Sequence, residues 1–391
     1  MRIQFKAVRL AAAATVPFAA GAYTEEHYLA WFKDNQTAQP QFAEGDTITF
    51  DKADQVRPFI PKEFQSEWIF EGMEMKIKDA GDLSNADVYK TATEKNKGTA
   101  TIAADGAIEN YAAGRPFDPA TFKPGKEDGW KMVWNWNYRW QNDGLSVGEV
   151  HWVWVRRGGE HSKHELMTAD GGKYAKYYEG GGSFERALAG PYKRYLMSHN
   201  AKYESTGYRV NNGEGFAKDT EFREYTGFTS PFDIAGTSKI LVVARSRNRD
   251  TVYYGPNGWA VKDDYALRLP DVMKQIPKRS NHPYSKKFIH VDRESGESYY
   301  ANAFDKAGEL WKVWQLTKVW SDDAWVQNNP NKFNKERTPP GTRFQLFQSI
   351  NVVDLQNNRG TLVPCRGAEA PFTELKDAKR LLDVNYLTEG R

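Results

Sequence analysis

The chain has 391 residues with 54 Lys and Arg against 51 Asp and Glu, a single cysteine, and 13 Trp, 20 Tyr and 21 Phe. This near balance of charge excludes the basic footprint of a nucleic-acid binder and a strong electrostatic hold on anionic membranes. One cysteine excludes an internal disulfide, so burial alone must hold a chain long enough for one large domain or two ordinary ones.

In chain order, Arg2, Lys6 and Arg9 precede the apolar run Leu10–Ala20 and the small-x-small site Ala20-Gly21-Ala22. This predicts an export signal over 1–22, cleaved after Ala22, because the run is far shorter than the roughly 20 residues that span a bilayer. Cleavage leaves 51 basic and 51 acidic residues. Thr24 caps a predicted helix through Phe32, with acids in its first turn. Pro61 opens a second helix, with Phe64, Trp68 and Ile69 on one face and Gly72 as its stop. Met73–Lys78 alternates as a half-buried strand does, and Ser84-Asn85-Ala86-Asp87 reads as a capping box opening a helix to Lys97. We read 23–98 as a helical and extended segment that packs on a sheet built from 99–391, the two forming one structural unit.

From Thr99 the period shifts towards two. Thr101–Asn110 reads as a strand pair around Asp105-Gly106. Trp130–Trp140 reads as a long strand with Trp130, Met132, Trp134, Trp136, Tyr138 and Trp140 on one face. Asn142-Asp143-Gly144 then turns it back into Val147–Arg157, where Trp152 and Trp154 share a face, so that two adjoining strands form one aromatic wall. Glu165–Thr168 and Lys173–Tyr178 read as a hairpin. Ser183–Gly190 reads as a short helix resumed over Tyr192–Asn200, a helical pair placed to cover an open sheet. Strands are expected at Tyr203–Val210, Phe222–Tyr225, Lys239–Arg245 and Thr251–Tyr254, followed by a poorly patterned stretch at 257–285.

Residues 288–316 carry the clearest pattern. Three apolar-rich runs are separated by Arg293-Glu294-Ser295-Gly296 and Lys306-Ala307-Gly308, each turn ending in a glycine able to take a positive φ. Tyr299, Tyr300, Phe304, Trp311, Val313 and Trp314 are strand formers. This predicts an antiparallel meander whose bulky side chains curve the sheet. A polar loop at 327–342, a strand at Phe344–Asp354 and a helix at Glu374–Leu382 complete the reading.

No motif argues for catalysis. His161-Ser162-Lys163-His164-Glu165 lacks the zincin spacing and reads as a solvated hairpin loop. Gly180-Gly181-Gly182 has no Gly-Lys-Ser/Thr ending and reads as a flexible connection. Asp292, Glu294 and Glu297 are not spaced as a calcium loop and suit a hairpin turn. Asp322-Asp323, Asp263-Asp264 and Glu25-Glu26 are pairs that any surface could carry. No serine lies in a nucleophile elbow, and Cys365 lies in a loop without a neighbouring histidine. We expect no catalytic residue, metal or cofactor.

Glu71–Ile77, Asn110–Phe117 followed by Trp134-Asn135, Ser230–Thr237 and Phe288–Trp314 resemble the exported domain-of-unknown-function 1329 (DUF1329) family. That family is similar to the periplasmic lipoprotein-sorting carriers LolA and LolB. The most specific piece is Val291-Asp292 followed by Phe304–Trp311. The chain departs from the family in its short interval between Ile234–Thr237 and the meander, where Lys274–Arg279 is a faint counterpart of an arginine-rich run. The resemblance implies a mainly β fold with a few helices: a strongly curved antiparallel LolA-like half-barrel with helices on its concave face. It also implies a periplasmic protein, not integral to a membrane, that handles a lipid or other hydrophobic molecule and accompanies an inner-membrane exporter and an outer-membrane protein.

On this reading the ligand-binding candidates are Trp134, Trp136, Tyr138, Trp152, Trp154, Phe304, Trp311 and Trp314, lining a hydrophobic cavity. A non-catalytic module binding a partner or polysaccharide through a flat aromatic face is the alternative. A glycoside hydrolase, with two carboxylates across a cleft, is a third.

Overall fold

The computed structural model describes residues 23–139, 144–167, 175–179, 193–197, 232–329, 343–365 and 368–369, apart from positions 105, 107, 148, 149, 160, 278, 279 and 281. The export signal, the helices expected at 183–190 and 374–382, the strands expected at 203–210 and 222–225, the triple glycine and most of the polar loop lie outside these residues.

The N-terminal layer begins with α1 (Glu25–Thr37), which runs more than a turn past the expected end at Phe32. It continues through β1 (Thr47–Thr49), a series of 3-10 turns, α2 (Gln65–Trp68), β2 (Glu74–Ile77) and α3 (Asp87–Lys95). The residue before α3 is Ala86, without a side-chain cap, so Ser84 does not form the expected capping box. β3 (Thr101–Ile102) and β4 (Ile108–Glu109) form the predicted hairpin, with Gly106 at φ +88°.

Residues 130–137 are not a strand. They belong to α4 (Lys126–Asn137), with Tyr138 as its C-cap. Gly129, Met132, Val133 and Trp136 follow one another at helical spacing and are buried. The helix lies so close to a sheet edge that a Cβ at Gly129 would come within 2.1 Å of the Phe232 carbonyl oxygen. The expected two-strand aromatic wall is therefore a helix laid on a sheet.

β5 (Gly144–Val147), β6 (Val150–Arg156), β7 (His161–Met167), β8 (Ala175–Glu179) and β9 (Lys193–Met197) follow. Three expectations fail here. The His161–Glu165 group is in a strand paired with β6 rather than in a loop. β7 pairs with β6 while β8 pairs with β5 and β9, so the two do not form the expected hairpin. Residues 193–197 are a strand and not a resumed helix.

The rest is β10 (Phe232–Thr237), β11 (Ile240–Val242), β12 (Tyr253–Tyr254), β13 (Ala260–Val261), β14 (Asp264–Arg268), β15 (Pro270–Gln275), β16 (Lys286–Asp292), β17 (Ser298–Phe304), β18 (Leu310–Trp320), α5 (Ala324–Gln327), β19 (Gln345–Asp354), β20 (Arg359–Pro364) and β21 (Ala368–Glu369). The poorly patterned stretch thus holds three strands.

The fold is mainly β. Its principal sheet has nine antiparallel strands in the order β10-β15-β16-β17-β18-β19-β20-β6-β7. The predicted meander is its centre, and the end strands do not pair with each other, leaving the sheet open as a half-barrel is. Five of its eight ladders contain a register shift. Such bulges bend strands and increase twist.

Each face of the sheet has its own cover. Phe288, Tyr300, Phe304, Val313 and Val353 meet α1, the 3-10 turns and the smaller sheet β1-β2-β14-β11 in one apolar core. The opposite face presents Met273, Ile289, Ala301, Ala303 and Trp314 to Met132, Val133 and Trp136 of α4. The alanines of β17 leave room for the helix to sit down between larger neighbours. The acidic pairs are not simply surface features either. Asp263 is 6% exposed and takes a 2.5 Å hydrogen bond from Ser246, and Asp323 is 6% exposed and pairs with Arg245 at 2.7 Å.

Candidate functional site

The two sheet faces differ in chemistry. The face under α1 is filled by rings and by a buried polar network. Tyr23 donates to Glu63 at 3.1 Å and Asn302 Nδ2 donates to it at 2.7 Å, while Tyr300 is its third donor. Burial pushes the Glu63 carboxyl up, and these three donors only partly offset it. Tyr28 and Ser238 hold the two ring nitrogens of His290 at 3.1 and 2.9 Å. Burial drives that imidazole down to about 3. A separate buried group lies at the C-terminal end of α4, where Glu297 accepts from Arg139 at 2.8 Å and from Lys318 at 2.9 Å and the Arg139 guanidinium lies over the Trp136 ring. Burial alone would raise the Glu297 carboxyl, but the two cations outweigh burial and hold it at about 2. These groups satisfy one another inside the core, as buried charges must.

The face under α4 carries a continuous cross-strand row. Met273, Ile289, Ala301, Trp314, Val352, Thr361 and Trp154 are successive register partners over β15, β16, β17, β18, β19, β20 and β6. Partners in register share a face. The first four are buried against the α4 cluster, whereas Val352, Thr361 and Trp154 are only half-buried. Trp314 and Trp154 stand three ladder steps apart, about 14 Å at ordinary strand spacing.

The predicted site residues divide accordingly. Trp136 (3% exposed) and Trp314 (1%) belong to the α4 cluster, and half-buried Trp311 packs at its margin while its Nε1 donates to Asp354 at 3.1 Å. Trp154 joins the same face through the row. Phe304 faces the other way, into the core shared with Tyr28 and Phe288. Trp134 and Tyr138 stack on each other at 5.9 Å on a different side of α4, where Trp134 Nε1 donates to the Gly106 carbonyl at 2.9 Å and Tyr138 meets Tyr111. Trp152 is two positions from Trp154 in β6, and its side chain lies outside the described residues.

Sequence reasoning missed the partners in this row that are not aromatic: Met273, Ile289, Ala301, Val352 and Thr361. Cross-strand register, which sets the row, is not written in any single strand. It also missed a cleft of about 760 Å³ outside the sheet, between α3, the β3–β4 hairpin, residues 115–121 and α4. Among the described residues no group of three His, Cys, Asp or Glu could hold a metal ion, and no helix is long and apolar enough to cross a membrane.

An open, mainly β antiparallel fold with an aromatic-bearing face is the class these features define. The family described as "Protein of unknown function (DUF1329)" matches residues 70–257 and 271–388. That is more than three quarters of the 391 residues, and the chain belongs to this family. No curated protein matches it. Among solved structures, it is similar to a DUF1329 family protein from Desulfovibrio piger, at 11% identity and TM-score 0.37, over 68% of this chain and 100% of that one. It is also similar to a LolA superfamily protein from Nitrosomonas europaea, at 13% identity and TM-score 0.30, over 67% of this chain and 99% of that one.

Proposed function

We propose that this protein is an exported, periplasmic binder and carrier of a lipid or other hydrophobic molecule, held on the α4 face of the large sheet. The observation that carries the reading is the fall in burial along one row, from Trp314 under the helix to half-buried Val352, Thr361 and Trp154. An apolar guest laid there extends the α4 cluster sideways and covers apolar surface the helix leaves. A chain of about 16 carbons gains on the order of 13 kcal/mol on leaving water, at about 0.8 kcal/mol per methylene. It therefore needs an escort across an aqueous compartment, and the costs of association trim the gain enough to allow release.

A sugar-binding platform is less well supported. Among the described residues the exposed large apolar side chains are Leu29, Phe50, Val252, Leu269 and Ile276, with one aromatic ring among them. A stacking platform needs several.

Two measurements test the carrier reading. Mass spectrometry of an organic extract of the purified protein is expected to detect a co-purifying apolar molecule. Trp154→Ala is expected to bind the uncharged fluorophore phenylnaphthylamine about tenfold more weakly, the loss of one large aromatic contact. An empty extract together with unsaturable fluorescence would overturn the proposal.

A further inference from the structure

We propose that the cleft on the outer side of α4 is a second binding site, for a small amphiphile with one anionic group. The cleft is distinct from the sheet face because Met132, Val133 and Trp136 of α4 point into the sheet cluster, whereas Lys131 lines the cleft and Trp130 stands between the two. Its volume of about 760 Å³ falls among those of small-molecule sites, which run from about 300 to 1,000 Å³.

The floor is apolar and fixed. Ala100, Ile102, Phe117 and Trp130 contribute to it. The Trp130 ring is wedged against Gly106, where an added Cβ would come within 2.7 Å of it, and it meets Phe232 edge-on at 5.4 Å. A preformed floor binds without an ordering cost.

The rim supplies charge. Lys97, Arg115 and Lys131 line the cleft, against the carboxylates of Glu94 and Asp118. The Arg115 guanidinium donates to the carbonyl oxygens of Arg293 at 2.8 Å and Glu294 at 2.6 Å. Neutral carbonyls orient that cation without cancelling its charge. Lys97 pairs with Asp118 at 3.3 Å and Lys131 with Asp128 at 2.7 Å. The Lys97 pair is well exposed, and such pairs contribute about 0–1 kcal/mol. The Lys97 ammonium can therefore turn towards a ligand anion at little cost, while Lys131 stays on the buried Asp128 carboxylate and adds its charge to the rim from there. A fully hydrated ion gains nothing from the apolar floor, and a pure hydrocarbon gains nothing from the rim. An apolar body with a single anionic head uses both.

The test compares anilinonaphthalene sulfonate with phenylnaphthylamine, two probes with the same ring body, one anionic and one neutral. Replacing both rim lysines (Lys97→Ala with Lys131→Ala) is expected to weaken the sulfonate about tenfold and the neutral probe less than about twofold. Ile102→Glu, placing a like charge in the floor, is expected to weaken the sulfonate at least as much. The loss of sulfonate affinity caused by removing the lysines is expected to be the same in a Trp154→Ala background, which separates failure of this site from failure of the carrier reading. Equal responses of both probes to loss of the lysines, or no saturable sulfonate binding, would overturn the proposal.

Discussion

His290 shows how a single side chain sets the conditions under which this core is stable. It is fully buried, with Tyr28 and Ser238 on its two ring nitrogens, Tyr300 edge-on at 5.0 Å and Trp31 at 6.4 Å. Burial lowers its pKa to about 3, so the folded protein keeps it neutral where the unfolded chain takes up a proton. Its contribution to stability is complete above the unfolded value of about 6.5 and is lost progressively as the pH falls towards about 3. Nearby Glu63 works in the opposite sense. Its carboxyl is raised by burial, so its neutral form favours the fold at low pH and ceases to as the pH rises. A variant must separate the two. Between about pH 7.5 and pH 5.5, wild-type protein is expected to lose about 1.4 kcal/mol more stability than His290→Gln, that being the linkage for one pH unit below the unfolded pKa. Urea unfolding at the two pH values measures it, and identical losses in both proteins would refute it. The sequence placed this residue correctly in a strand, but nothing near it in sequence announced its burial. Its partners are 262 and 52 residues away.

Elements were legible where one face is apolar and the turns are marked, as in β16, β17 and β18, which lie as the glycine-ended turns predicted. They were illegible where apolar residues are dense enough to fit two periods at once. In Trp130–Trp140, tryptophans at even positions mimic a strand, yet Val133 sits among the supposed polar positions and completes the helical set with Gly129, Met132 and Trp136. Acidic residues at 127 and 128 just after Gly125 were the available helix-start signal. β15 failed for another reason: five of its six residues are buried, including Asp271 and Gln275, so there is no alternation to read. The two readings of α4 make different predictions. A strand would place Trp134 and Trp136 in equivalent positions. In the helix, Trp136 fills the sheet cluster while Trp134 is half-buried against Gly106. Trp136→Ala is therefore expected to cost about 3–5 kcal/mol and Trp134→Ala about 1–2 kcal/mol. Thermal and urea unfolding of the two variants decide it, and equal losses would contradict the helical packing.

At the scale of the whole molecule, burial is uneven across the large sheet: its central strands are sealed on both faces, whereas the row over β19, β20 and β6 is half-buried. β16 is buried at nearly every position and β17 at all of them, because α1 and the N-terminal layer cover one face and α4 the other. Amides of these strands should open only with global unfolding. β19, β20 and β6 carry the half-buried end of the row. Part of their stability is therefore available to be supplied by a ligand. A ligand present at about 100 times its dissociation constant stabilises the state that binds it by about 2.7 kcal/mol. That equals roughly a hundredfold slowing for amides whose exchange requires the site to open. With phenylnaphthylamine at that excess, hydrogen exchange is expected to slow in β6, β19 and β20. Amides of β1 and β2, which exchange by openings of the smaller sheet, should be unaffected. If protection appeared instead in β1 and β2 and not in the row, the guest would be seated on the opposite face, in a core where Tyr28, Phe288, Phe304 and Tyr300 already occupy the space. The location of the protected amides therefore reports on which side of the sheet the proposed guest sits.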